Sequence, residues 1–184
     1  MKATQQLKDE HQGVLLMLDI LEEISQRLKK GQQVDLTHLN QILEFLQVFV
    51  DKCHHSKEEE LLFPALEESG IPKEDGPIGM MLVEHDMGRG YIKGLREAIL
   101  KYENGEGKAA GEIAKNTQKY IVLLREHIDK EDNILYMMAD MHLDEVIQKR
   151  LAKEFEKVEM EKIGAGKHQQ FHKLLDNLKE IYLQ

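Results

Sequence analysis

Cys53-His54-His55-Ser56-Lys57-Glu58-Glu59-Glu60-Leu61-Leu62-Phe63-Pro64 is echoed by His127-Ile128-Asp129-Lys130-Glu131-Asp132-Asn133-Ile134-Leu135-Tyr136. Both read histidine, two residues, Lys-Glu, two residues, an aliphatic residue, leucine, then an aromatic ring. On an α-helix, side chains four apart face the same way, one turn up. Each copy therefore offers one imidazole and one carboxylate to a common point: His54 with Glu58, and His127 with Glu131. Two such pairs facing each other between packed helices are the ingredients of a dinuclear metal site.

Outward from these copies the pattern is helical. The fold class expected is all-α: an up-down-up-down four-helix bundle over residues 1–141, with a C-terminal helical hairpin, residues 142–184, packed on it. The first helix spans about Ala3 to Lys30, with Thr4 as its cap and Gly31 past its end. Its apolar stripe is Leu7, Val14, Leu18, Leu21 and Leu28, and His11 fills the gap. The second follows the caps around Asp35 and ends near Glu68, before Gly70 and Pro72. Its stripe is Leu39, Leu43, Leu46, Val50, Leu61 and Ala65, with His54 and Glu58 at the missing steps. His55 and Glu59 lie about 100° round.

The third helix starts at Pro77, a favoured first-turn residue, and runs to about Tyr102. Its stripe is Ile78, Met81, Gly88, Ile92, Leu95 and Ile99, with His85 in sequence. After the turn Asn104-Gly105-Glu106-Gly107 the fourth runs to about Asp140, on Ile113, Thr117, Tyr120, Leu124, Ile134, Met138 and Met141. Two further helices, from Leu143 and from Lys167, are separated by Gly164-Ala165-Gly166 and read as the hairpin. Methionines are read as core filler.

In an up-down-up-down bundle, the start of the first and third helices and the end of the second and fourth share one end. At about 1.5 Å per residue, His11, His85, Glu58 and Glu131 then lie roughly 12 to 14 Å from that end, with His54 and His127 one turn deeper. Six polar groups meeting in a dry core are costly unless something satisfies them, and a cation does so. The metal ligands expected are His11, His54, Glu58, His85, His127 and Glu131. Imidazole and carboxylate without thiolate suit iron first, manganese second and zinc third. His38, His142 and the pair His168 and His172 read as surface, and Cys53 as a small buried residue.

The bulk numbers exclude other classes. Of 184 residues 41% are hydrophobic and 32% charged, with three prolines: a helix-rich composition long enough for a core. A net charge of -9 argues against nucleic acid and anionic membrane as partners. No run is long enough to span a bilayer. One cysteine excludes an internal disulfide and fits a cytoplasmic location.

These residues resemble the hemerythrin-like family, the HHE cation-binding domains, from about Leu7 to Tyr136. The resemblance is carried by Asp9-Glu10-His11, His54-His55-Ser56-Lys57-Glu58-Glu59, Glu84-His85-Asp86 and His127-Ile128-Asp129-Lys130-Glu131-Asp132. It implies two non-haem iron ions in a four-helix bundle, bridged by one carboxylate from the second helix, one from the fourth, and an oxo or hydroxo group. Oxygen-carrying members place a second histidine one turn from the one on the third helix, where this chain has Met81 and Arg89. They also set the fourth helix's carboxylate one step later, at Asp132 here. The resemblance therefore implies a di-iron protein that binds or senses oxygen, nitric oxide or iron itself, with a diatomic or peroxide ligand. The alternative is a di-iron enzyme with oxidase, peroxidase-like or nitric-oxide/iron-repair activity. His55, Glu59 and Glu84 are open as extra ligands or as acceptors for ligand imidazoles.

Overall fold

A computed structural model describes residues 2–184, and all regular structure among them is helical. The helices are α1 (Ala3–Lys29), α2 (residues 36–68), α3 (Pro77–Glu103), α4 (residues 109–142), α5 (Glu145–Lys162) and α6 (Lys167–Tyr182). No helix is long and apolar enough to cross a membrane.

Among the first four, α3 with α4 and α1 with α4 pack with their numbering running in opposite senses. α3 meets α4 from His85 against His127 to Lys101 against Glu112. α1 meets α4 from Lys8 against Asp132 to Ser25 against Ala114. α2 meets α1 at Glu10 and Lys57, and α3 at Asp51 and Arg89. Two apolar clusters result. One holds Leu18, Leu46, Phe49, Ile99 and Leu124, the other Leu7, Leu66, Ile78, Leu135 and Phe155. The expected stripes of α1 and α3 are buried in full, His11 and His85 included.

The lower halves of α2 and α4 depart from the expected stripes, and the cause is local. α2 is wound with i→i+5 hydrogen bonding over Phe45–His55 and Glu58–Leu62, and α4 over Glu131–Leu135. Such a turn takes in one extra residue and is found mostly at functional sites. Beyond it the buried face moves on by one position. Ile134 is 53% exposed and Leu135 1%, Met141 is 74% exposed, and Ala139 is buried in place of Met138. In α2 Leu62 is buried and Leu61 only half-buried. Methionine as core filler is likewise corrected: Met17 and Met81 are buried, but Met80, Met87, Met137, Met141 and Met160 are exposed.

Thr4 does not cap α1. Its hydroxyl donates to Asp140 at 2.7 Å. The cap comes from α5: Gln148 Oε1 accepts from the Ala3 amide at 3.0 Å, satisfying an N–H that the helix itself cannot.

The two C-terminal helices are not folded back on each other as a hairpin. They follow one another along the groove between α1 and α2. Gln148 of α5 sits at Ala3, Glu159 reaches Lys57, and Arg27 lies over the Tyr182 ring at the end of α6. Ala3 and Arg27 are about 36 Å apart along α1, a span that a reversed pair could not cover in this order. Gly164 and Gly166 adopt left-handed φ of 82° and 78°, which redirect the chain without reversing it. Each helix buries its apolar face in the groove: Leu151, Phe155 and Val158, then Phe171, Leu175 and Leu178.

Candidate metal centre

The interrupted windings of α2 and α4, with the two straight helices α1 and α3, carry seven metal-type side chains into the layer between the apolar clusters. His55, Glu58, His85 and His127 form one group and His11, His54 and Glu131 another, each with ligand atoms within 4.8 Å of one another. All seven are buried.

The carboxylates join the two groups. Glu58 Oε2 lies 3.4 Å from His85 Nε2 and 3.8 Å from His54 Nε2. Glu131 Oε2 lies 3.3 Å from His11 Nε2, and its Oε1 3.1 Å from His127 Nε2. Within each group, Nε2 atoms pair: His11 with His54 at 3.0 Å, and His85 with His127 at 3.1 Å.

Behind these atoms, an approximate two-fold repeat holds the rings. Nδ1 of His54 donates to Glu10 at 2.8 Å, and Nδ1 of His127 to Glu84 at 2.8 Å. Each acceptor is the residue before a histidine of the neighbouring helix, and each is gripped by a lysine of the repeat: Lys57 holds Glu10, and Lys130 holds Glu84. Nδ1 of His11 donates to Asp132 at 2.8 Å, and Nδ1 of His85 to Glu59 at 2.6 Å. Lys57 is fully buried, its Nζ 2.5 Å from Glu10 and 3.4 Å from Glu159. A carboxylate behind each imidazole fixes its tautomer and orientation, leaving Nε2 to face inward.

Two substitutions break the repeat. His55 stands where the second copy has Ile128; its ring stacks on His85 at 3.8 Å. Tyr136 stands where the first copy has Phe63, and its hydroxyl donates to Glu58 Oε1 at 2.5 Å.

The donor set fits bound cations on two counts. Glu58 Oε2 and both oxygens of Glu131 are buried without a hydrogen-bond partner, since the nearby imidazoles are not aligned as donors to them. Such groups are costly when nothing compensates them. Second, with every Nδ1 proton given to a carboxylate, the paired Nε2 atoms have two lone pairs and no proton between them. Something positive must lie there.

In the metal-free chain, protons take that role. Burial opposes charge on His11, but Asp132 and Glu131 outweigh it and raise its pKa to about 10. Burial is likewise overcome at His85, by Glu131 and Glu58, and at His127, by Glu131, raising them to about 11 and about 9. His55 goes the other way: burial and the charge on His85 push it down to about 3. Burial pushes the Cys53 thiol up to about 12, so it is a small buried residue and no thiolate.

All six residues expected as ligands, His11, His54, Glu58, His85, His127 and Glu131, converge in this layer. His55, left open by the sequence, lies with Glu58, His85 and His127 around one point. Glu59, Glu84 and Asp132 sit behind the rings. Glu10 and Lys57 were missed as part of the machinery. The doubled dipeptide Glu10-His11 and Glu84-His85 is the signal that points to Glu10. His168 and His172 lie apart: His168 groups with Glu10 and Glu159 outside the centre, where Lys57 already supplies the cation, and His172 is exposed.

The family model described as Hemerythrin HHE cation binding domain matches residues 2–139. Uncharacterized proteins of Mycobacterium tuberculosis and Mycobacterium bovis are 24% identical over 180 residues, spanning 97% of this chain and 68% of theirs.

Proposed function

This chain belongs to the hemerythrin HHE cation-binding family, and from that premise we propose that it is a non-haem di-iron protein that binds or senses a small ligand such as oxygen, nitric oxide or iron itself. In this reading α1 to α4 form an up-down-up-down four-helix bundle with the metals between its two apolar clusters. One observation carries the proposal: seven buried donors close on one layer with three carboxylate oxygens lacking any hydrogen-bond partner.

His55, His85 and His127 would hold one ion, His11 and His54 the other, and Glu58 and Glu131 would span them. A pair of irons there supplies redox-active ions with room for a diatomic ligand. The protein's own residues do the rest. Glu10, Glu84, Asp132 and Glu59 lock the rings, Tyr136 steadies Glu58, and the flanking apolar clusters keep water out. With His55 included, one position would have three imidazoles and the other, at His11 and His54, two.

The test is anaerobic loading with ferrous iron, removal of excess, metal analysis, and an absorption spectrum before and after air. About two irons per chain and a new near-ultraviolet band on oxidation are expected. Binding of a single ion, or no band, would overturn the di-iron reading. The enzyme reading requires turnover with peroxide or nitric oxide that His54→Ala abolishes.

A further inference from the structure

We propose that the cavity between α2, α3 and α4 binds a small organic anion, a carboxylate with a short hydrocarbon body, beside the metal centre and without coordinating it. The cavity measures about 260 Å³, and its inner end is formed by His55 and His85. That is just under the range of about 300–1,000 Å³ typical of drug-sized ligands. Its walls are Leu46, Ile92, Leu124 and the ring of Tyr120. They suit a hydrocarbon better than an inorganic ion.

Two features point to an anion. Tyr120 is 3% exposed and lines the cavity; its hydroxyl is not one of the sealed, unpartnered atoms of the interior and makes no side-chain hydrogen bond among the described residues, so it opens onto the cavity. Burial raises its pKa, so it stays a phenol with a proton to donate. At the mouth stand Lys93 and Arg96, both exposed, three apart on α3. Neither has a carboxylate within ion-pair distance among the described residues. The other charges lining the cavity are spent. Arg89 is shared by Asp51, Glu59 and Asp86, and Glu84 is held by Lys130 and His127. On a chain of net charge -9, two uncompensated cations flanking an apolar hole favour an anionic guest. The α1–α2 face is covered by α5 and α6, while this face is open.

Titration calorimetry with hexanoate, on metal-free and metal-loaded protein, tests the site. A dissociation constant below roughly 1 mM is expected in both forms. Hexanol and acetate should each bind about tenfold more weakly, because each lacks one half of the recognition. The double change Lys93→Glu and Arg96→Glu, both at exposed positions that fold does not depend on, should cost about tenfold. Tyr120→Phe should cost about fivefold. Hexanol binding as well as hexanoate, no effect of the charge reversal, or no binding at all would overturn the proposal. So would binding confined to the loaded form with a changed spectrum, which means coordination to the metal. The iron count is measured separately, so failure of the di-iron reading and failure of this site are told apart.

Discussion

At the scale of the residue, the centre is a doubled unit made unequal by two side chains. Both copies supply His-x-x-Lys-Glu, and each lysine holds the glutamate behind its own copy's histidine ring. The difference lies at His55 against Ile128 and at Tyr136 against Phe63. Tyr136 holds one oxygen of Glu58, so Glu58 has one free oxygen for a metal and Glu131 has two. In Tyr136→Phe the ring still packs but Glu58 can turn. Loss of such an outer partner should weaken metal affinity at least about tenfold with the helical content unchanged. Competition against a chelator of known affinity checks this; equal affinities would show that the hydroxyl is dispensable.

At the scale of the element, a steady helical period read α1 and α3 correctly and slipped at Leu61 of α2 and at Ile134, Met138 and Met141 of α4, while Ala65 is buried as read. Leu7, Val14, Ile92 and Leu95 were legible because nothing interrupts their helices. Leu135 and Ala139 were not, because the extra residue taken in at Glu131–Leu135 shifts the face, and no residue type announces such a turn. The same winding explains why His55, about 100° away on a regular helix, ends beside His85. Of the six ligand-type residues, His11 and His85 were legible because they lie on uninterrupted helices, and His54, Glu58, His127 and Glu131 through the repeated His-x-x-Lys-Glu spacing. Inserting one alanine after the exposed Asn133 gives the turn a second extra residue and should rotate Tyr136 and Ala139 off the core by about 100°. The variant is expected to melt more than about 10 °C lower and to hold less metal. Circular dichroism melts and metal analysis check it; an unchanged melt would mean that the inserted residue does not set the register.

At the scale of the whole molecule, folding and cation binding are one equilibrium. His11, His85 and His127, raised to about 10, 11 and 9, bind protons more tightly folded than unfolded. In the metal-free protein their stabilisation is complete below pH about 6.5 and disappears as pH climbs through those values. His55, lowered to about 3, contributes above pH about 6.5 and fades below it. Glu10 and Glu59, both lowered to about 2, contribute above pH about 4.5 and fade as pH falls towards 2. The metal-free protein should therefore melt lower at about pH 10 than at about pH 7. With cations seated those protons are gone and the alkaline loss disappears. Metal should also raise the melting temperature by at least about 5 °C at neutral pH. Melts of both forms at both pH values check this; superimposed curves would separate the cations from stability. The C-terminal helices bear on how the protein can be handled. A fragment ending at His142 strips the amide side chain of Gln148 from the amino end of α1. It bares Phe45 and Phe49, which Phe171 now covers, and leaves Lys57 in an open trough without Glu159. Such a fragment is expected to aggregate on expression, so trimming to the family-matched portion is the wrong route to a smaller working protein.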